Sequence, residues 1–389
     1  MPAPTLRVFV DFDSDTAFEI NPLILDSATE GILGTNTLGS GTLPIEITDL
    51  VTKVSIRRGR NRLTSQFEAG TANVTLYDQT GDWNPTNPAS IYYPNLVPLR
   101  QIIIYATYNS QDYFLFSGFI NTYDTGFRQG NDELSTVTLR CVDGFKLLAG
   151  SGITTVTGSG VQTSGARVNA ILDEIEWPLS LRNVDTGDST LQADPGTDRD
   201  ALQALFNVEQ SEFGGIFLDA NGKVDFVSRN ALIATPAFPV YEFSDQGTDI
   251  SYTNAVVAFD DTNLTITRLG GTAQNVFDQP SIDKFFLHSG QRSDILVQTN
   301  AEALSQAQGI LATRKDPEIR IDSIQLNLYD DTNPNKPLAG IDIELLDGVT
   351  VTKTTPGSTS VVQSSLVNAI HHDITKSSWM TTLYTTEPL

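Results

Sequence analysis

The sequence predicts a mainly β protein with a smaller α+β part, and three observations carry that expectation. Residues 6–143 alternate apolar and polar side chains in short runs separated by Gly, Asn, Asp and Pro clusters, the period of half-buried strands. Near residue 150 the composition changes: a Gly/Ser/Thr-rich connection, AGSGITTVTGSGVQTSG, leads into two segments with helical spacing and then a hairpin signature. From Val240 onward the strand-like alternation returns, interrupted by one helical stretch. The expected organisation is a β-barrel-like module over 1–150, a helix-and-hairpin insertion over 151–235, and a second β-barrel-like module with one helix over 236–389.

In chain order, the first candidate strands are 6–12, 51–58, 70–78, 98–107, 114–123 and 134–143. In 70–78, Ala72, Val74 and Leu76 share one face. So many strands in one stretch suggest a barrel or a sandwich. Residues 31–41, GILGTNTLGSG, read as a surface loop, since they lack the Lys-Ser/Thr of a phosphate-binding loop. A helix is expected over 164–176, with Val168, Ile171, Leu172 and Ile175 on one stripe and Trp177-Pro178 ending it. A second is expected over 197–213, capped by Thr197 or Asp198 and stopped by Gly214-Gly215. Leu202, Leu205, Phe206 and Phe213 would face inward there, and Glu209 interrupts the apolar stripe. Residues 216–227 read as a hairpin turning at Asn221-Gly222. Strands are expected again at 254–260, 264–268, 319–329, 341–346 and 367–375. A helix over 300–314 presents Ala303, Leu304, Ala307, Ile310 and Leu311, with Asn300 as its N-cap.

A chain of 389 residues can bury a sizeable core in each of two or three domains without disulfides or metals. Its 24 Lys+Arg against 47 Asp+Glu give a formal charge of −23. Such a surface repels nucleic acid and anionic membranes. The charge serves solubility, or it lines a channel through which DNA slides without adsorbing. The lone Cys141 excludes an intrachain disulfide framework and reads as a packed core thiol. No secretion leader and no membrane-length apolar run is visible, so a soluble protein made in a cytoplasm is expected.

The three histidines are His288, His371 and His372. The last two are adjacent, so on a strand they point to opposite faces and cannot chelate one metal together. No nucleophile elbow and no H-E-x-x-H helix occurs. Asp219 to Asp225 resembles the start of a calcium loop but has Asn230 where the bidentate glutamate belongs, which favours a plain turn. The pairs Asp260-Asp261 and Asp330-Asp331 read as turn and solvation residues. No catalytic, cofactor-binding or metal-binding residue is assigned, and an enzyme is not expected.

The least ordinary stretch is 52–88. It packs Arg57, Arg58, Arg60 and Arg62 into six residues of an acidic chain. A nucleic-acid patch is disfavoured by the surrounding charge and the lack of interleaved aromatics. Surface decoration is a second reading. The favoured one is an inter-subunit contact, in which arginine offsets repulsion between like-charged protomers by pairing bidentately with carboxylates. The stretch ends in a Pro-rich loop around Trp83, which anchors its own module or a neighbouring subunit, or stacks on a sugar ring with Tyr92 and Tyr93.

Phe67, Glu68, Ala69, Gly70, Thr71, Ala72, Val74 and Leu76, followed by Asp82, Asn84, Pro85 and Asn87, resemble a signature of tailed-bacteriophage tail-tip hub proteins. Near the other end, Ile370, His372 and Ile374 alternate on one face ahead of Trp379 and Leu383, similar to the closing strands of the same proteins. The resemblance implies a structural virion protein made in the host bacterial cytoplasm and placed at the tail tip, with no membrane anchor and no cofactor. It implies a baseplate hub: a homotrimer whose two tail-tube-type modules per chain continue the tail tube. DNA and the tape-measure protein would pass through it on infection, beside the distal tail protein and other tip proteins. Any hydrolase or host-binding extension is expected on a separate chain. The alternatives are a hexameric distal tail protein and a carbohydrate-binding tail adhesion module that uses Trp83. An enzyme ranks last.

Overall fold

The computed structural model describes residues 3–12, 44–60, 66–126, 135–235, 239–247, 249–258, 263–287, 289–315, 320–329, 333, 335–354, 357 and 360–386. The loop at 31–41, Arg62, His288 and the pairs Asp260-Asp261 and Asp330-Asp331 lie outside the described residues.

Alternation builds the strands as expected. In Val51–Gly59, Val54 and Ile56 are fully buried, and in Glu68–Tyr77 so are Ala72, Val74 and Leu76. Among the described residues, thirteen strands join in one sheet. From one edge its order is Asn254–Ala258, Arg320–Asn327, Ser378–Thr386, Val361–Thr375, Val51–Gly59 and Glu68–Tyr77. It continues through Thr136–Val142, Gln111–Gly126, Arg100–Tyr108 and Thr5–Asp11 to Ile45–Glu46. Gly348–Lys353 pairs with the first half of Val361–Thr375 and, in parallel, with Tyr241–Ser244. The protein is thus mainly β. Among the described residues the pairing does not return on itself, so neither group of strands forms a closed barrel.

The two groups meet where Val51–Gly59 pairs antiparallel with Val361–Thr375. There Arg57 lies opposite His371, Arg58 opposite Ile370 and Gly59 opposite Ala369. This pairing is called the seam below. Gly59 has a φ of +114°, and an added Cβ would lie 2.4 Å from both the Ala369 Cα and the Asn368 carbonyl oxygen, so only glycine fits.

Between the two groups come helices Ser164–Glu174 and Ala201–Glu212, and the hairpin Gly215–Leu218/Val224–Val227 with Gly222 at positive φ in its turn. The second helix starts later than expected. Asp200, not Thr197 or Asp198, accepts the Gln203 N–H, because Arg199-Asp200 is drawn into a short ladder with Gly152-Ile153. Leu202 and Phe206 are only half-buried, whereas Leu205 and Phe213 are buried. This unit packs on the first β group through Phe67 against Phe217, with ring centroids 5.3 Å apart, and Phe145 against Phe206. Helix Asn300–Arg314 is capped by Thr299, whose side chain accepts the Glu302 N–H, rather than by Asn300. It packs on a small sheet, Asn263–Arg268 with Gln274–Val276 and Ser289–Ile295, over a satellite core that includes Ile266, Ile295 and Ala303.

One expected strand is absent. Residues 341–346 finish the helix Asn335–Asp342 and continue without a ladder partner. Ile341, Ile343 and Leu345 are buried there, so the alternation reported burial and not sheet pairing. No helix among the described residues is long and apolar enough to cross a membrane.

Candidate functional site

The arginine strand brings its side chains to the seam, where three parts of the chain converge. Arg58 is 7% exposed. Its guanidinium donates to the Leu218 carbonyl at 3.1 Å and to Glu344 Oε1 at 2.5 Å. Glu344 Oε2 accepts the Ala220 N–H at 2.8 Å. One ion pair therefore ties the arginine strand, the tip of the insertion hairpin and the segment before Gly348–Lys353. A buried charge of this kind is held by its partners and is not available to a neighbour. Arg58 is thus engaged within its own chain.

Arg60 is fixed from two sides. Its Nε donates to Asn368 Oδ1 at 2.6 Å, its backbone N–H donates to the Asn368 carbonyl at 3.0 Å, and Asn368 Nδ2 donates to the Arg60 carbonyl at 3.1 Å. The guanidinium lies over the Phe67 ring, 4.8 Å from its centroid. Asn368 occupies a β-bulge between Val367 and Ala369, which is what frees its side chain to face Arg60. Arg57 keeps about half of its side chain exposed, with its NH1 2.7 Å from His371 Nδ1 and its NH2 3.6 Å from Asp373. Burial and the neighbouring guanidinium push His371 down to about 4, so at neutral pH its Nδ1 accepts from Arg57.

Residues of the seam, among them Arg57, Arg60 and His371, line an open cleft of about 480 Å³ that also takes in Glu68, Thr71, Asp322 and Tyr384. Beneath it lies a row of buried groups. Asp143 Oδ2 accepts the Gly70 N–H at 2.5 Å and Oδ1 accepts the Phe145 N–H at 3.0 Å; its burial raises it to about 7. A Cβ on Gly70 would lie 2.7 Å from that Oδ2, which gives a physical reason for glycine at this motif position. His372 is buried, with Nδ1 3.0 Å from Thr381 Oγ1, and burial then the nearby Arg58 lower it to about 3, leaving it neutral. Trp379 is fully buried beside it in the core. Among the other motif residues, Phe67 is buried while Glu68 and Ala69 are exposed at the cleft rim.

The Trp83 loop is a separate construction. Asp78 accepts the N–H groups of Asp82 at 2.9 Å and Trp83 at 3.2 Å. Four successive turns follow, with Asn84 N–H donating to Gly81 O, Asn87 to Asn84, Ser90 to Asn87 and Tyr93 to Ser90. Asn84 Oδ1 accepts the Thr86 N–H and Asn87 Nδ2 donates to the Gly81 carbonyl, while Pro85 sits inside the second turn, Asn84 to Asn87, where no N–H is missed. Trp83 is 1% exposed and packs against both Phe12 and Tyr92, at centroid distances of 5.6 and 5.1 Å, while those two rings stack on each other at 4.6 Å. It anchors its own module.

Sequence reasoning did not find Glu344, Asn368 or His371 as partners of the arginines. Two local signals were present: Glu344 inside the otherwise largely apolar run IDIELL, and a loss of apolar/polar alternation around Asn368 in Leu366-Val367-Asn368-Ala369-Ile370. Three or more His, Cys, Asp or Glu placed to hold a metal do not occur together among the described residues.

A continuous sheet formed edge to edge from two strand groups, with an α+β unit between them, defines the fold class. The same fold is found in the tail protein of Neisseria meningitidis MC58, with a TM-score of 0.53 at 12% identity over 86% of this chain and 96% of that one. It is found too in the 43 kDa tail protein of prophage MuSo2 from Shewanella oneidensis, with a TM-score of 0.55 at 13% identity, covering 89% and 94%. No protein-family description matches the sequence, and no curated protein does.

Proposed function

We propose that this chain is a structural protein of a phage tail, and specifically the hub at the tail tip. The observation that carries the reading is the correspondence of fold along nearly the whole length of both chains with the 43 kDa prophage tail protein. Three copies would place six β groups in a ring that continues the tail tube, with the distal tail protein on one side and other tip proteins on the other. DNA and the tape-measure protein would pass through the opening, and the excess of 47 acidic over 24 basic side chains would keep DNA from adhering to its wall. The division into residues 1–150, 151–235 and 236–389 belongs to the same proposal. The chemistry is assembly and not catalysis.

Negative-stain electron microscopy of the purified chain, classified by rotational symmetry, with a native mass on the same sample, tests this. A three-fold ring with a central opening is expected. A six-fold ring would replace the hub by a hexameric distal tail protein, and a particle without symmetry in the presence of neighbouring tail proteins would contradict both.

A further inference from the structure

We propose that the cleft over the seam is a docking site for an acidic peptide segment of a partner protein, whose carboxylates pair with Arg57 beside the Arg60–Asn368 clamp. The cleft lies in a chain of formal charge −23, yet Arg57, Arg58 and Arg60 all line it, against Glu68 and Asp322. The charge of Arg58 is matched from beneath by Glu344. Arg57 is the exposed cation. A guanidinium carries five donors in a planar fork. One faces His371 and another faces Asp373 at 3.6 Å, and the rest remain for a bidentate acceptor such as a carboxylate.

The walls are organised before any ligand arrives. Gly59 presses against the bulge at Asn368, and three hydrogen bonds fix Arg60 to Asn368. The His371 ring packs on Tyr384 with centroids 4.7 Å apart, so the acceptor that aligns Arg57 is itself held. Preorganisation of this kind lowers the entropy cost of binding. At about 480 Å³ the cleft has room for a few side chains. Thr71, partly exposed in the cleft wall, supplies a hydrogen-bonding group suited to a peptide backbone. A nucleic acid would bring a long run of phosphates against the negative surface around the cleft, whereas a short acidic segment brings only the charges that the cleft accepts.

The charged groups facing His371 are Arg57 and Asp373, with Glu68 and Asp322 on the same cleft. A carboxylate beside Arg57 adds negative charge near the imidazole and raises its titration midpoint from about 4. This gives a readout that a purely structural arginine would not move.

The test is a titration of the full chain with a glutamate hexapeptide at low salt, by calorimetry and by NMR of the histidine rings. Glutamine hexapeptide serves as the uncharged control. Wild type is expected to bind the acidic peptide, with affinity falling as salt rises and the His371 midpoint moving up. Arg57→Gln is expected to bind about tenfold more weakly or worse, since a charge-assisted pair is lost. Asp373→Asn, which removes the competing carboxylate from the same exposed surface, is expected to bind more tightly. No binding by wild type, equal affinity in Arg57→Gln, or binding that leaves His371 unmoved would each overturn the proposal. So would self-association of the chain that depends on Arg57 while the peptide is ignored, because the site would then join copies. The outcome does not depend on whether the chain closes a ring.

Discussion

The Trp83 loop and the seam are both organised by a carboxylate that accepts backbone N–H groups, but they differ in reach. Asp78 collects the amides of Asp82 and Trp83, four and five positions away. Glu344 collects the amide of Ala220, 124 positions away, and the guanidinium of Arg58, 286 positions away. The loop is therefore a local object that closes on itself around one indole. The seam exists only when three distant parts of the chain have come together, and breaking it is felt by all three. Loop closure over hundreds of residues costs only a little more entropy than over tens, but the contacts form late and hold more.

The largest expected effect follows from this. Arg58→Ala leaves Glu344 half-matched and the Leu218 carbonyl without its donor, and is expected to cost about 3–5 kcal/mol in chemical denaturation. Next comes Glu209, a buried carboxylate that accepts the Ile216 N–H while its Oε2 has no hydrogen bond. Desolvation raises it to about 7 from 4.5. A raised carboxyl contributes stability that is present below 4.5 and lost as pH climbs through 7. Glu209→Gln is expected to equal wild type near pH 4 and to exceed it at pH 8 by up to about 3 kcal/mol, measured by thermal or urea unfolding across pH. Asp78→Ala is expected to cost about 1–3 kcal/mol, confined to the loop, with hydrogen exchange rising over residues 79–95 and unchanged at the seam. Smallest is Arg57→Ala, whose half-exposed pairing predicts a change of less than about 0.5 kcal/mol. An Arg57→Ala loss comparable to that of Arg58→Ala would erase the distinction between the two neighbours on one strand.

Reach also decides what the sequence shows. The strands of the first β group, the helix Ser164–Glu174 and the hairpin turn at Asn221-Gly222 follow from periods and turn residues within a dozen positions. So does the Trp83 loop, whose Asp, Asn, Pro and Ser residues satisfy one another. The arginine cluster stood out, but its division into buried Arg58, clamped Arg60 and exposed Arg57 was hidden, because their partners lie beyond residue 340. The choice among the readings of Trp83 was hidden too, because Phe12, which packs on it, comes from a distant strand end. The alternation at 341–346 misled in the opposite direction, since buried side chains without ladder pairing look like a strand in sequence.

Hydrogen exchange of wild type and Arg58→Ala, compared amide by amide under native conditions, tests most directly whether the seam unites the three parts. If it does, protection falls together in Val51–Gly59, in Val361–Thr375 and in the hairpin Gly215–Leu218/Val224–Val227, while the Trp83 loop is untouched. Loss of protection at the hairpin alone, with the paired strands unchanged, would contradict it.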